Sequence, residues 1–406
     1  MYLKVIFELQ NKNNPFPMAN ITLFSQIISK LDRSVFNKMV RERQTDKHQK
    51  GFNSWTHLVS MLFCQFAKSQ SVRDISNGLR SATGNLNHLG IQKAPSKSTI
   101  SYQNKRRDWE LFRDYYYALI DNFGQQARMK RVKFRIKSKI FLLDSTTISL
   151  CLSLFDWAKY KTAKGAVKMH TLFDYDGNLP AYVNITDGKT ADNKGAYDIP
   201  LLKRSVIVAD RFYNDFSLLH IWDSSEVFFV VRHKENIRFE TIKEKPLPDD
   251  RHQHILIDEV IRLTGVNSKK KYPGRLRRIA VWDEKNNQEI ELITNQMSWT
   301  AETISELYKA RWEIEIFFRE IKQLLHIKSF IGTSQNAVMI QIWTALITIL
   351  VLKALKAMAK HKWYLSNLVA FIRLNIFVKV DLQQWLDHPF EEHPPPQRQV
   401  IQGVLF

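Results

Sequence analysis

The chain has 406 residues, 44% of them hydrophobic and 25% charged, a balance that fits a folded protein with more than one core and excludes a fibrous or globally disordered chain. Its 60 Lys and Arg against 40 Asp and Glu leave a formal charge of +20, which points to a polyanionic partner, nucleic acid ahead of a membrane surface. The two cysteines, Cys64 and Cys151, lie in apolar runs with no CxxC or Cys/His cluster, which argues against a disulfide scaffold or structural zinc and for a cytosolic protein.

The segment before Met18 has neither the long apolar run nor the small-residue cleavage site of a secretory signal, and Met18 is itself a candidate start. From Ile21 to Phe123 apolar residues recur at helical spacing, as at Leu58, Met61, Leu62, Cys64 and Phe66. Ser71 is expected to cap one short helix. Pro95, with Ser96 or Ser98 as cap, opens another that ends on Lys105, Arg106 and Arg107. Two such helices fit a helix-turn-helix-like DNA reader, and a plain helical bundle with a solvated basic face fits them equally. Ala127–Lys139 reads as a basic linker or the start of a strand with one wet face.

From Ile140 the pattern turns to strands: Ile140–Leu143 ending at Asp144, Ile148–Leu154, Val167–Phe173, and Ala181–Thr186 beyond a turn at Asp174–Gly177. Val206–Ala209 ends at Asp210, and a helix over Phe216–Trp222 precedes a strand at Val227–Val231. Continuous apolar runs of this kind predict a mixed α/β core with fully buried strands. The more polar stretch that follows carries strand-like pieces at His254–Ile257 and Leu276–Val281, with Lys269, Lys270, Lys271, Arg275, Arg277 and Arg278 as a basic group. It is expected to be a β-rich insertion, after which Glu291–Thr294 returns to the core. A long helix is predicted over Ala301–Leu325. The most apolar stretch, Ala337–Leu352, contains Gln341 and ends at Lys353, so it reads as a buried helix rather than a membrane span. The expected layout is therefore helical over 1–127, α/β core over 128–231, β-rich insertion over 232–290, core again over 291–335, and helical over 336–406.

Three carboxylates stand out by position. Asp144 and Asp210 each follow an apolar strand, where a side chain is held rigidly at the rim of a sheet, although Asp after a strand is also an ordinary turn or cap residue. On the predicted helix Tyr308, Arg311, Glu315 and Lys322 follow one another at spacings of 3, 4 and 7, which places all four on one side and leaves Ile314, Phe317, Ile321, Leu324 and Leu325 to face the core. Oxygen donors from two Asp and one Glu suit Mg²⁺ or Mn²⁺, and a pair of such ions is a standard device for displacement at phosphate. Arg and Lys beside them suit phosphate contacts, and a solvated face with ion pairs explains the same spacing. His170 reads as a packing residue. Arg211 is placed to reach either a phosphate or a surface acid. Gly188–Thr190 ends like a phosphate loop, but Val183 stands where its first glycine belongs. GxSxG, HExxH and GxGxxG do not occur.

These residues resemble the DDE transposases of the insertion-sequence-four family. The family signature of Tyr, two residues, Arg, three residues, Glu, six residues and Lys is matched by Tyr308, Arg311, Glu315 and Lys322. LLDSTTISL and VIVADRFYN look like the segments that carry the family's first and second Asp, and FDWAKYKTAKGAVKMHTLFDYDGNLP resembles the stretch between them. The resemblance covers roughly Lys139–Ile349, with a looser likeness of the preceding helices to the family's N-terminal domain. It implies a ribonuclease-H-like catalytic core interrupted by a β-rich insertion, with Asp144, Asp210 and Glu315 as catalytic metal ligands for Mg²⁺, or Mn²⁺. It implies phosphate contacts by Tyr308, Arg311 and Lys322, and a DNA transposase that hydrolyses one strand and then uses the freed 3′-hydroxyl in transesterification. Double-stranded DNA carrying terminal inverted repeats, target DNA and a second copy of the chain are the implied partners, in a bacterial, nucleoid-associated cytoplasmic setting and with no membrane. Lys105, Arg106, Arg107, Arg211, Lys269, Lys270 and Lys271 are further candidate DNA contacts. Some relatives stack a flipped base on a Trp of the insertion; Trp282 and Trp299 lie near that region, and a core role suits each as well. A transposase-derived DNA-binding protein without cleavage, or a metal-dependent nuclease without strand transfer, would keep much of the same pattern.

Overall fold

A computed structural model describes residues 20–82, 84–126, 134, 136–150, 157, 159–161, 164–234, 237–247, 254–325 and 330–390. The chain forms two compact units, Lys130–Arg319 and a second one that joins Met1–Met129 to Glu320–Phe406. The first and last helical regions, expected as separate segments, thus belong to one body.

The chain opens with helices α1 (Leu23–Ile28), α2 (Arg33–Glu42), α3 (Ser54–Ala67), α4 (Val72–Ser81), α5 (Lys97–Arg106) and α6 (Glu110–Gln126). Each of the first five starts at a side-chain cap, from Thr22, Asp32, Asn53, Ser71 and Ser96, whose oxygen accepts a backbone N–H that the helix leaves unpaired. A segment containing a tight turn at Asn87–Leu89 separates α4 from α5, so the pair lacks the three- to four-residue turn of a helix-turn-helix.

The sheet unit follows: β1 (Ile140–Leu150), β2 (Lys159–Lys161), β3 (Lys164–Asp174), β4 (Leu179–Asp187), α7 (Asp192–Ala196), β5 (Val206–Ala209), α8 (Phe216–Ser224), β6 (Phe228–Arg232), β7 (Phe239–Glu244), β8 (Ile255–Leu263), α9 (Val266–Lys271), β9 (Arg275–Asp283), β10 (Gln288–Thr294) and α10 (Ala301–Ala310). Then come α11 (Trp312–Leu325), α12 (Gln335–Met358), α13 (Leu365–Leu374) and α14 (Leu382–Asp387). Among the described residues, ten strands form one sheet in the order β2-β3-β1-β5-β6-β10-β9-β8-β7, with β4 beside β3. The β1–β3 and β3–β4 pairs are antiparallel, β1–β5 and β5–β6 are parallel, and the pairs from β6 through β10 to β7 are antiparallel. The polar stretch read as a β-rich insertion within the α/β domain continues the core sheet edge to edge. The four residues of β5 are completely buried, which is why that strand reads as an unbroken apolar run. Leu218, Leu219 and Trp222 of α8 pack with Phe229 and Val231 of β6 in the same core.

Arg277 and Arg278 were grouped with the basic residues of this region, yet both serve the sheet. Arg277 is buried and donates to both carboxylate oxygens of Asp258 at 2.7 and 2.6 Å. Arg278 pairs with Glu259 at 2.6 Å and Glu291 at 2.9 Å. Cross-strand acids neutralise both, so neither charge is presented to a partner.

In the helical unit, α12 is the central helix and packs against α3, α5, α6, α13 and α14. It is long and apolar enough to cross a membrane, but 94% of its most apolar window is buried in the fold. Its polar groups are satisfied inside: the Thr344 and Thr348 hydroxyls donate to the carbonyls of Ile340 and Thr344, each at 2.8 Å, and the Gln341 side chain accepts the Ile331 N–H at 2.9 Å. Trp343 stacks on Trp109 at 6.5 Å between ring centroids. Cys64 is buried as a free thiol, and Cys151 lies outside the described residues.

Candidate active site

The parallel pairing of β1 with β5 runs from Ile140 opposite Val206 to Leu143 opposite Ala209 and then stops. Asp144 and Asp210 are the next residues on the two strands, so both carboxylates stand where the strands part. Asp144 does not end its strand, as the sequence suggested; β1 runs on to Leu150, paired on its other side with β3 through Asp144 opposite Thr171. Asp210 does end β5. Its side chain caps the short turn Arg211–Tyr213 by accepting the Phe212 N–H at 2.8 Å.

The predicted long helix is interrupted at Arg311, which sits between α10 and α11. Backbone bonds there span three residues, from Arg311 N–H to Tyr308 and from Ile314 N–H to Arg311. Ile304 and Leu307 of α10 and Ile314 and Phe317 of α11 are buried, with Phe317 against Phe173 of β3 at 5.3 Å. That packing turns Arg311 and Glu315 toward the strand ends. The Arg311 guanidinium lies 2.6 Å from Glu315 and 3.5 Å from Asp144, and 5.7 Å over the Tyr308 ring. It therefore bridges two of the three carboxylates. Lys322 lies farther along α11, in the portion that belongs to the helical unit.

Burial pushes the Asp144 carboxyl up to about 7; nearby Asp210 and Glu315 add to this, while the Ser145 N–H and Arg311 oppose it. Asp210 is also raised, chiefly by burial and further by Asp192. A carboxyl that binds its proton more tightly in the folded chain adds stability at low pH. That contribution is lost as pH climbs from the ordinary carboxylate range to about 7. The stability of the metal-free protein relative to Asp144→Asn is therefore expected to fall between pH 4 and pH 7.5, by parallel urea titrations. A difference that is flat with pH would contradict this account of Asp144.

A second layer was not evident from spacing. Asp192, at the start of α7, accepts from the Ser145 hydroxyl and from Lys168 Nζ at 3.1 Å. The buried Tyr213 hydroxyl is held strongly in its neutral form, first by burial and then by Asp144, Asp192 and Asp210. His170 is a packing residue: it is buried in β3, 3.0 Å from the Thr186 hydroxyl, with Gly195 of α7 so close that a Cβ there would meet the ring at 2.5 Å. Of this layer the sequence singled out only His170, as a packing residue.

Of the candidate DNA contacts, Arg211 is exposed beside Asp210, and Lys269, Lys270 and Lys271 are exposed on α9. Lys105 and Arg106 are exposed at the end of α5, with Arg106 4.9 Å over the Tyr102 ring. Arg107 is corrected. Its side chain is 0% exposed, donates to the Phe52 carbonyl at 2.9 Å and lies 3.7 Å from Asp46. A guanidinium enclosed in the helical core cannot meet a phosphate. Trp299 packs on Phe228 at 5.7 Å, while Trp282 is partly exposed. Gly188–Thr190 is an ordinary turn in which Asp187 accepts from the Thr190 N–H and hydroxyl at 3.0 and 2.6 Å.

Among the described residues, no group of three or more His, Cys, Asp or Glu side chains is close enough to hold a metal as arranged. The guanidinium of Arg311 takes the place between Asp144 and Glu315 instead.

Residues 19–92 match a domain of unknown function, DUF4372. A protein described as a probable transposase for insertion sequence element IS5377, from Geobacillus stearothermophilus, is 27% identical over 68% of this chain and 72% of its own length. A candidate transposase of insertion sequence element IS4SA from Synechocystis is 24% identical over 71% of this chain and 80% of its own. A solved structure, the piggyBac transposase synaptic complex with hairpin DNA, covers 91% of this chain and 81% of that one at 9% identity and a TM-score of 0.39, a likeness too slight to bear on the fold. The profile of the transposase DDE domain matches residues 135–351, more than half of the chain and including Asp144, Asp210 and Glu315; the chain belongs to that family.

Proposed function

We propose that the chain cuts and joins the ends of an insertion sequence, with Asp144, Asp210 and Glu315 as the acids of the site. The observation that carries this reading is the placement of Asp144 and Asp210 at the parting of β1 and β5, with Glu315 tied to Asp144 through Arg311. The strand order β4-β3-β1-β5-β6, antiparallel and then parallel, supports a ribonuclease-H-like core to which β7–β10 are added.

The donor set fits a hard divalent cation. All three acids offer oxygen, and they are crowded enough to draw a guanidinium between two of them. Asp144, Asp210 and Glu315 would hold the ion once Arg311 has left that place. Bound Mg²⁺ or Mn²⁺ supplies charge neutralisation at the phosphate and activation of the attacking oxygen. Arg311, freed to pair with a DNA phosphate, and Tyr308 beneath it would orient the strand, with Lys322 and Arg211 as further phosphate contacts. Lys105, Arg106 and Lys269–Lys271 would bind the duplex farther out, where each exposed cation adds salt-dependent affinity. Work on two inverted repeats calls for two copies of the chain on DNA, acting in the bacterial cytoplasm.

The test is cleavage and joining of DNA that carries the repeats flanking the gene. Parent protein with Mg²⁺ or Mn²⁺ is expected to nick at the repeat boundary and join the end to target DNA. Specific binding of the repeats without nicking in either metal would replace this reading with DNA binding alone. Nicking without joining would make the chain a nuclease.

A further inference from the structure

We propose that Asp192 is a positioning residue for the acidic site, acting through its hydrogen bond from the Ser145 hydroxyl. This deepens the transposase reading and rests on it. The need for such a residue follows from the sheet. Beyond Leu143, β1 has lost its parallel partner β5 and is hydrogen-bonded only to β3. Asp144 is the first residue past that point, and its carboxylate direction depends on how firmly the free side of β1 is held.

Asp192 supplies the missing restraint from outside the sheet. Ser145, next to Asp144, stands opposite His170 on β3, and Lys168 lies on the same face two residues away. Asp192 accepts from both the Ser145 hydroxyl and Lys168, so one carboxylate joins β1, β3 and α7. The Ser145 N–H in turn donates to Asp144 at 2.7 Å. The tie thus reaches the acid itself through a single residue.

The anchor is itself anchored. Lys168 Nζ also donates to the Thr190 carbonyl at 2.8 Å, just before α7. Gly195 allows α7 to close on the His170 ring. Asn193 donates to Asp215 at 3.0 Å, which fixes α7 to the segment that follows Asp210. Asp192 is therefore bonded to the strand that carries Asp144, while its neighbour Asn193 is bonded to the segment beyond Asp210. The side chain is 25% exposed, and its Oδ1 takes both the Ser145 and the Lys168 contact. No local sequence pattern marks it. It lies in a turn-rich segment, and its partners are 47 and 24 residues away, since 192 − 145 = 47 and 192 − 168 = 24.

Two roles can be separated by substitution. If Asp192 acts by its bond to Ser145, an amide oxygen serves as well as a carboxylate. If it acts only by adding negative charge, the amide fails. We assign the first role. The measurement is Mn²⁺ binding to the full-length, DNA-free protein by isothermal titration, with thermal melting of every variant and Glu315→Gln as reference. Asp192→Ala and Ser145→Ala are each expected to weaken Mn²⁺ about tenfold. Asp192→Asn is expected to fall within about threefold of the parent. The double variant Ser145→Ala/Asp192→Ala should be no weaker than the poorer single, because both remove one bond. The same order should appear in the Mg²⁺ concentration needed for half-maximal cleavage.

Parental Mn²⁺ affinity in Asp192→Ala and Ser145→Ala, with Glu315→Gln impaired, overturns the proposal while leaving the transposase reading in place. Equal loss in Asp192→Asn and Asp192→Ala replaces positioning by charge and overturns it as stated. Additive losses in the double variant do the same. Absence of Mn²⁺ binding by the parent removes the metal-site reading and this proposal with it. Loss of the melting transition in Asp192→Ala transfers the decision to Ser145→Ala, a smaller change on the same bond.

Discussion

Glu315→Gln is expected to abolish strand cleavage in practice, lowering the rate by about 10⁴-fold or more, equivalent to about 5.5 kcal/mol of barrier. The amide keeps the size of the side chain and an oxygen for the 2.6 Å contact with Arg311, so folding should survive. What is lost is the negative charge that, with Asp144 and Asp210, would balance a divalent cation. Asp144→Asn should be as inactive. Both variants should bind terminal-repeat DNA in EDTA with parental affinity, because phosphate contacts supply that affinity and these acids do not. Cleavage within tenfold of the parent in Glu315→Gln would sink the assignment of the site. Lost DNA binding in both variants would show that the substitutions disturb more than the acids.

Arg311→Ala should push two properties in opposite directions. The guanidinium lies between Asp144 and Glu315 in the structure, 3.5 and 2.6 Å from them, and stacks on Tyr308. A cation in that place competes with a divalent ion for the same oxygens. Its removal is expected to strengthen Mn²⁺ binding to the DNA-free protein about tenfold. Cleavage should nevertheless fall by about 10²-fold or more, since a charge-assisted bond to a phosphate is worth roughly 1.5–3 kcal/mol and orients the strand as well. Arg311→Lys should recover little, because an ammonium cannot bridge two acids as a planar fork does. Titration calorimetry with Mn²⁺ and the cleavage assay decide the matter together. Weakened Mn²⁺ binding in Arg311→Ala would mean that the guanidinium builds the site rather than occupies it. DNA engagement would then have no part in opening the acids to metal.

The two results bear on each other. Burial raises Asp144, and its acidic neighbours raise it further. Such crowding disfavours the charged form in the absence of a counter-cation. Arg311 offsets part of that penalty internally. An acidic cluster held this way is spared much of the repulsion between its carboxylates.

Much of this was legible in the residues themselves. The buried strand Val206–Ala209 declared its limits because a strand covered on both faces has no polar alternation. Ser71, and Ser96 or Ser98, marked helix starts because a side-chain oxygen must satisfy N–H groups that no turn can reach, and Ser71 and Ser96 are the caps. The spacing of Tyr308, Arg311 and Glu315 follows from the helical repeat, and it places Arg311 against Glu315 even though the helix is interrupted at Arg311.

Other features depended on residues far apart in the chain. A charge run reads the same whether solvent or an acid faces it: Lys269–Lys271 are exposed, Arg277 is neutralised by Asp258, and Arg107 is enclosed beneath Phe52. Strand pairing across β6 and β10 joined the polar stretch to the core sheet, which no local pattern states. Helices from both ends of the chain form one body around α12 because its apolar surface runs nearly all round and must be covered from several sides. Asp192 came to the site by the fold alone. The sequence by itself determined the buried strands that precede Asp144 and Asp210 and the helical spacing of Tyr308, Arg311 and Glu315, through apolar runs and a period of 3.6 residues. The tertiary structure decided which cations are exposed and where β1 and β5 part beside Asp144 and Asp210, because burial, register and charge pairing are properties of neighbours in space.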